Sequence, residues 1–156
     1  MKAKRLLFLI PVCIMILIFM FSAQAGKESL ELSNGLLHEI LTTVCGLFGM
    51  ENADIGSLTQ LFSTFIRKTA HFSIYAFLGI SLYISIYFND IKKVFLTSEA
   101  VAVFYAITDE LHQCFVPGRD GNIIDVLIDS SGALIGILIV AHVLLKITER
   151  RGRKND

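Results

Sequence analysis

Long apolar stretches alternate with short polar ones along this chain. A helix needs about 20 apolar residues to cross the hydrocarbon core of a bilayer, and four stretches approach that length. They cover residues 6–22, 70–88, 94–111 and 123–145. The third stretch is the least apolar, because it contains Ser98, Glu99 and Asp109. The pattern predicts an all-α integral membrane protein, built as a four-helix bundle in a single domain over residues 1–156.

The segment between the first two spans has a different periodicity. Apolar residues recur at helical spacing from Leu36 to Phe48 and again from Ile55 to Ile66. This spacing predicts amphipathic helices on the extracytoplasmic side. Such helices either lie in the membrane interface or pack on the spans as structural cover, and the periodicity favours the second alternative.

The composition agrees with a membrane protein and excludes some partners. The chain is 54% hydrophobic and 18% charged, and its formal net charge of zero argues against a nucleic-acid partner. Membrane lipids are therefore the predicted partners. The three cysteines lack the C-x-x-C spacing of a zinc site or disulfide framework. The oligomeric state stays open.

The basic residues orient the predicted spans. Ten of the 14 Lys and Arg residues precede the first span, lie between the second and third, or follow the fourth. Four crossings place all three groups on one side, which the positive-inside rule makes the cytoplasmic side. We therefore expect a multi-pass protein of the cell membrane with both termini and the basic tail, residues 146–156, in the cytoplasm. The four other basic residues, expected outside, are Lys27, Arg67, Lys68 and Arg119.

The first span also resembles a secretory signal, since Ala23-Gln24-Ala25 fits an A-x-A cleavage site. Its apolar stretch of about 17 residues exceeds the usual 7–15 of a signal peptide. We expect the segment to be retained. Cleavage would leave three spans.

Polar side chains concentrate at the outer ends of the last three spans. Residues three and four apart share a helix face, and each span carries one polar stripe. The stripes comprise Arg67, His71 and Tyr75, then Asp109, His112 and Gln113, and finally Asp125 and Asp129. Carboxylates are costly in lipid, so such residues usually face a protein interior or a water-filled site. The stripes therefore predict a shared polar site.

The connection between the third and fourth spans is rich in turn residues. Pro117-Gly118 followed by Asp120-Gly121 predicts a tight hairpin that returns Arg119 toward the carboxylates. Asn122 is placed to cap the next helix, with Asp125 in its first turn. Further along that helix, Gly132-x-x-x-Gly136 predicts a close approach of another helix.

Two roles are open for the basic residues Arg67, Lys68 and Arg119. They can hold a phosphate or carboxylate group, because guanidinium groups donate paired hydrogen bonds to such oxygens. They can also neutralise buried carboxylates by pairing with them. The candidate partners are Asp109, Glu110, Asp125 and Asp129.

A histidine between carboxylates also suits general acid–base chemistry. His112 with Asp109 or Glu110 would be the catalytic set of an enzyme acting on a lipid-linked substrate. A divalent metal is another candidate ligand, because carboxylate and imidazole groups suit it chemically. The candidate metal ligands are Asp109 and His112, with His71 and Asp125 or Asp129. However, the chain contains neither an H-E-x-x-H motif nor a cysteine pair. We predict no metal and no cofactor.

Three segments together resemble the VanZ-like family. They are Phe21-Ser22-Ala23-Gln24, Arg67-Lys68-Thr69-Ala70-His71-Phe72 with Tyr75, and Asp109-Glu110-Leu111-His112-Gln113-Cys114-Phe115-Val116-Pro117-Gly118-Arg119 followed by Asp125 and Gly132. Ala23 stands where the family often has a second Ser. Its members are small bacterial integral membrane proteins, and the founding member is associated with teicoplanin resistance. The family is far broader than that phenotype, so the resemblance implies a role in the cell envelope, with an effect on glycopeptide susceptibility left open.

These observations favour a protein that binds an anionic lipid or lipid-linked cell-wall precursor at the outer polar site. The alternative is a membrane-embedded hydrolase or transferase acting on such a substrate. The predicted ligand-binding residues are Arg67, Lys68, His71, Tyr75, Gln113, Arg119, Asp125 and Asp129.

Overall fold

The computed structural model describes residues 2–23, 26–50, 54–119 and 121–153, apart from the side chains of residues 2, 3, 26–33 and 152. Several residues used in the sequence patterns lie outside this description. They are Gln24, Ala25, Asp120 and Lys154, together with the side chains of Lys2 and Lys27.

The described residues form helices and turns, without a β-strand. In chain order the helices are α1 (Lys2–Leu6), α2 (Leu9–Ser22), α3 (Gly26–Leu47), α4 (Ile55–Phe88), α5 (Val94–Gln113) and α6 (Ile123–Gly152). The all-α prediction is confirmed.

Among the described residues, three helical stretches are long and apolar enough to cross a membrane. They are Lys4–Ser22, Ile55–Phe88 and Ile123–Arg151. Helix α5 is 20 residues long, but Glu99, Asp109 and Glu110 make it more polar than these three. Its crossing of the membrane, the fourth of the predicted spans, stays a prediction.

Helix α4 differs from its predicted form, because it joins the second amphipathic run and the second span in one helix of 34 residues. The sequence Arg67-Lys68-Thr69-Ala70 contains no Gly or Pro, so nothing interrupts the backbone hydrogen bonds there. Asp54 caps the helix by accepting hydrogen bonds from the backbone and hydroxyl of Ser57, which lower the pKa of Asp54. At 1.5 Å per residue α4 is about 51 Å long, well beyond the roughly 30 Å hydrocarbon core.

Helix α3 packs on the N-terminal half of α4. Cys45 is buried in this contact, and the Thr59 hydroxyl lies 3.4 Å from His38 Nδ1. Helix α3 thus contacts the second amphipathic run, while the choice between structural cover and a position in the membrane interface stays a prediction. The other face of α3 still exposes an apolar stripe, which comprises Leu36, Ile40, Val44 and Leu47.

The N-terminal helix pair is broken at Leu7 and Phe8. Pro11 lies in the first turn of α2 and has no N–H to donate to the Leu7 carbonyl. That carbonyl accepts the Ile10 N–H at 3.3 Å and a 2.9 Å hydrogen bond from Ser85 Oγ on α4. The break is therefore stabilised by a tertiary contact.

Helices α4 and α6 run parallel and pack most closely through glycine. A Cβ on Gly132 would lie 2.3 Å from the Phe72 carbonyl oxygen, and one on Gly136 would lie 2.1 Å from that of Ala76. Only glycine permits this approach, so the close packing predicted for Gly132-x-x-x-Gly136 is confirmed. The adjoining core comprises Ile18, Tyr75, Leu78, Leu82, Ala102, Ala106 and Ala133.

The bundle has two chemically different ends. At the first, here called the basic end, Lys4 forms a 3.0 Å ion pair with Asp90, and Asn89 donates to the Lys4 carbonyl. Since α6 is parallel to α4, Arg150 and Arg151 also lie toward this end. The other, the polar end, contains the C-termini of α2 and α5 and the N-terminus of α6. Helix α5 connects the two ends.

Candidate functional site

The loop from Cys114 to Asn122 forms one wall of the polar end. The Arg119 N–H donates to the Val116 carbonyl at 3.1 Å, and Gly118 has a φ of 80° that favours glycine. Asn122 caps α6 by accepting a hydrogen bond from the Ile124 N–H at 3.0 Å. The predicted turn and cap are confirmed. Glu110 Oε1 accepts the Asn122 N–H at 2.6 Å, so this carboxylate anchors the loop.

A hydrogen-bonded network links α2, α5 and the loop. Asp109 Oδ2 accepts hydrogen bonds from Ser22 Oγ at 2.9 Å and from Gln113 Nε2 at 3.2 Å. Arg119 then donates to Gln113 Oε1 and to the Phe21 carbonyl, both at 3.3 Å. The network fixes one oxygen of Asp109 and the position of the Arg119 side chain.

A second set of polar contacts joins α4 to α6. Lys68 Nζ forms an ion pair with Asp125 Oδ1. One turn further along both helices, His71 Nδ1 lies 3.7 Å from Asp129 Oδ2. Both pairs follow from the parallel register of the two helices.

Three of the most deeply buried side chains keep a free polar atom. Asp129 is 1% exposed, Asp109 is 3% exposed and Tyr75 is fully buried. Within the described part of the chain, Oδ1 of both carboxylates and the Tyr75 hydroxyl have no hydrogen-bond partner. Buried polar groups are normally satisfied, so these atoms mark a place where the protein alone does not complete its contacts.

A cavity of about 620 Å³ lies at the polar end. Eight of the eleven predicted site residues line it: Arg67, Lys68, His71, Glu110, Gln113, Arg119, Asp125 and Asp129. Tyr75, Asp109 and His112 are not among the lining residues. The structure thus brings most of the predicted residues to one cavity, while their roles stay predictions.

Two cations of the cavity form no ion pair with any residue that the structure describes. Neither Arg67, which is exposed, nor Arg119, which is half-buried, forms an ion pair within the described residues. Burial, together with the charge of Arg67, lowers the pKa of Arg119 from its ordinary value. A guanidinium remains protonated at neutral pH even so, and both side chains can offer charge to an anion.

His112 points away from the cavity. Its ring stacks on Phe19 with centroids 4.4 Å apart, and Nε2 is buried without a hydrogen-bond partner in the described residues. At about 100° per residue, positions i+3 and i+4 lie on opposite flanks of position i. Gln113 therefore contacts Asp109 on one flank, while His112 faces α2 on the other.

Two residues that the structure places at the site were not among the predicted site residues. Ser22 is completely buried and donates to Asp109, and Gln60 from the outer part of α4 lines the cavity. The Phe-Ser-x-Gln element contained a signal for Ser22. Gln60 lies in an amphipathic stretch, and no sequence pattern distinguishes it.

The fold and site define a helical membrane protein with a polar cavity at one end of its bundle. The chain belongs to the VanZ/LLP1 family, whose model matches residues 7–146 and thus nearly the whole sequence. No curated protein and no solved structure matches the chain.

Proposed function

We propose that this protein binds the anionic headgroup of a membrane lipid or of a lipid-linked cell-wall precursor in the cavity at the polar end. The observation that carries the proposal is a pair of guanidinium groups, Arg67 and Arg119, on a cavity at the end of a membrane bundle, neither of which forms an ion pair within the described residues. Arginine suits phosphate because its planar donors bind two oxygens at once.

Two of the cavity's carboxylates, those of Asp125 and Glu110, already have partners, which leaves Arg67 and Arg119 available to an anion. Lys68 is paired with Asp125, and Glu110 accepts the Asn122 N–H. Arg119 is held by Gln113 and the Phe21 carbonyl, and its Nε remains without a partner in the described residues. The cavity volume falls in the usual range for small-molecule sites and accommodates a headgroup larger than phosphate.

The test compares binding of phosphatidylglycerol and phosphatidylcholine to the purified protein in neutral detergent. Arg119→Ala and Arg67→Ala should each weaken phosphatidylglycerol binding by roughly tenfold or more, since a charged hydrogen bond contributes about 1.5–3 kcal/mol. Arg119→Lys should restore part of the affinity. Inorganic phosphate as a competitor distinguishes recognition of phosphate alone from recognition of the whole lipid headgroup.

Lys92→Ala is the matched control, because Lys92 is an exposed cation at the basic end. Any exposed basic residue attracts anionic lipid weakly. Equal losses in Lys92→Ala and Arg67→Ala would show that only surface charge is being measured. Circular dichroism of each variant excludes unfolding as the cause of lost binding.

A role in the cell envelope follows if the bound headgroup belongs to a wall precursor. Binding such a precursor on the extracytoplasmic side would change the supply of the molecules that glycopeptides recognise. An effect of gene deletion on glycopeptide susceptibility would support this ligand over a bulk phospholipid.

An enzymatic function is the second candidate, because His71 lies in the cavity beside Asp129. A hydrolase or transferase needs a basic or metal-binding group next to the scissile headgroup bond. His112 stacks on Phe19 outside the cavity, so His71 is the better placed histidine. Headgroup release measured in the same lipid samples, with and without chelator, distinguishes turnover from binding alone.

A further inference from the structure

Three helices meet next to the cavity at a cluster of His71, Asp109 and Asp129. One ligand-type atom from each of these side chains lies within 4.8 Å of the others. The residues come from α4, α5 and α6. They are far apart in the sequence, and only the folding of the three helices brings them together. Both carboxylates are almost completely buried.

The separation of His71 from Asp129 suits a shared ion better than a direct hydrogen bond. His71 Nδ1 and Asp129 Oδ2 are 3.7 Å apart, which is longer than a hydrogen bond between them would be. Metal–ligand bonds of about 2.0–2.2 Å place two ligands of one ion roughly 3–4.4 Å apart. An ion between these two atoms therefore needs little movement of either helix.

The free buried oxygens supply an independent indication. Asp109 uses Oδ2 for Ser22 and Gln113, which leaves Oδ1 without a partner in the described residues. Asp129 Oδ1 also has no hydrogen-bond partner among the described residues, and its Oδ2 is the atom that lies 3.7 Å from His71 Nδ1. Residues that bind and orient one oxygen of a carboxylate, while the other faces a metal, are typical of metal sites.

Charge balance also favours a cation. Two buried carboxylates are costly unless a positive charge compensates them. The ammonium of Lys68 is paired with Asp125, and Arg119 contacts Gln113 and a backbone carbonyl. A divalent ion with two carboxylates and a neutral imidazole gives a site of zero net charge.

We propose that His71, Asp109 and Asp129 bind one divalent metal ion of the Mn²⁺ or Zn²⁺ class. Mixed imidazole and carboxylate ligands suit these ions. Three protein ligands leave coordination positions open, and the cavity lined by His71 and Asp129 provides access to them. As a metal ligand, His71 Nδ1 is not available as a general base.

The test measures Mn²⁺ binding to the purified protein, prepared with a tag that contains no histidine. Electron paramagnetic resonance and elemental analysis should give about one tightly bound Mn²⁺ per chain. Asp129→Asn, Asp109→Asn and His71→Gln should each weaken binding by at least about tenfold, because even outer-shell changes cost 10- to 100-fold in metal affinity. Glu99→Gln and His142→Gln are the matched controls on α5 and α6, and they should bind as the wild type does.

A second measurement keeps the proposal testable if a variant fails to fold. Mn²⁺ at about 100 times its Kd should raise the Tm of the wild-type protein by roughly 5–10 °C. The spin echo of bound Mn²⁺ should show coupling to an imidazole nitrogen. Absence of stoichiometric Mn²⁺ and Zn²⁺ from the folded wild type overturns the proposal, as does equal binding in Asp129→Asn and Glu99→Gln.

This proposal stands apart from the binding of an anionic headgroup. Arg67 and Arg119 are not ligands in the cluster, and the Mn²⁺ measurement uses neutral detergent without anionic lipid. If the wild-type protein binds phosphatidylglycerol but no Mn²⁺, only the metal site is rejected. If it binds Mn²⁺ but no phosphatidylglycerol, only the headgroup proposal is rejected.

Discussion

The lack of side chains at two glycines allows α4 and α6, the two longest described helices, to pack closely. The hydrogen atoms of Gly132 and Gly136 face carbonyl oxygens of α4, where a methyl group would lie within 2.3 Å of oxygen. This contact sets the parallel register that places Lys68 beside Asp125 and His71 beside Asp129. A substitution at either glycine should therefore shift α4 relative to α6 and alter the positions of these side chains in the cavity.

Gly136→Ala should destabilise the bundle, because its methyl group would lie 2.1 Å from the Ala76 carbonyl oxygen. Overpacking of this kind costs about 1–3 kcal/mol, which lowers Tm by roughly 3–10 °C. Circular dichroism during heating in detergent measures the change. Gly35→Ala on α3 is the control, because a methyl group there meets nothing within 4 Å. An unchanged Tm in Gly136→Ala would contradict the described packing.

At the scale of elements, most helices are predictable from apolar periodicity, whereas their continuity and facing directions are not. The pattern predicts a separate helix at residues 55–66, but local sequence shows no break before Ala70 and α4 continues through it. Likewise, Asp109, His112 and Gln113 are spread over a wide part of the circumference of α5. His112 faces Phe19 because of where α2 lies, which the sequence spacing does not predict.

For the site, the meeting of polar residues at one end of the bundle is predictable from sequence, whereas their exact grouping is not. Charged side chains near the ends of apolar spans are costly in lipid, so they face other polar groups or water. The convergence of Arg119 and Asp125 on one end of the bundle is therefore predictable. The set of His71, Asp109 and Asp129 comes from three helices. All three were possible metal ligands from their residue types, but the chain has neither an H-E-x-x-H motif nor a cysteine pair, so no metal was predicted. Only the tertiary fold brings these three side chains together.

Helix α2 belongs to the folded bundle, because Ile18 lies in the core and the Tyr105 hydroxyl donates to the Met15 carbonyl at 2.5 Å. Tyr105→Phe should lower stability by about 1 kcal/mol, the usual contribution of one hydrogen bond. The expected fall in Tm is roughly 2–4 °C. Tyr87→Phe, at an exposed position of α4, should leave Tm unchanged. Equal behaviour of the two variants would contradict the docking of α2 on α5.

For the whole molecule, the two ends of the bundle differ in the sign and use of their charges. The basic end contains exposed lysines and arginines, whereas the polar end combines carboxylates, a histidine and arginines around a cavity. We expect the basic end in the cytoplasm, because positively charged loops are retained on that side. The cavity then opens to the extracytoplasmic side.

Thiol labelling tests this orientation. Cys114 is exposed at the polar end, so a membrane-impermeant maleimide should label it in intact cells or spheroplasts. In a Cys114→Ser background, Lys92→Cys at the basic end should react only after permeabilisation. Labelling of Lys92→Cys in intact cells would show the opposite orientation.

The length of α4 has a mechanical consequence. About 20 Å of this helix exceeds the hydrocarbon thickness of a bilayer, and α3 adds bulk to that projecting portion. No hinge separates it from the turn containing Lys68 and His71. The outer portion of α4 and one wall of the cavity thus belong to a single helix, and we expect a molecule that binds the outer portion to tilt that wall.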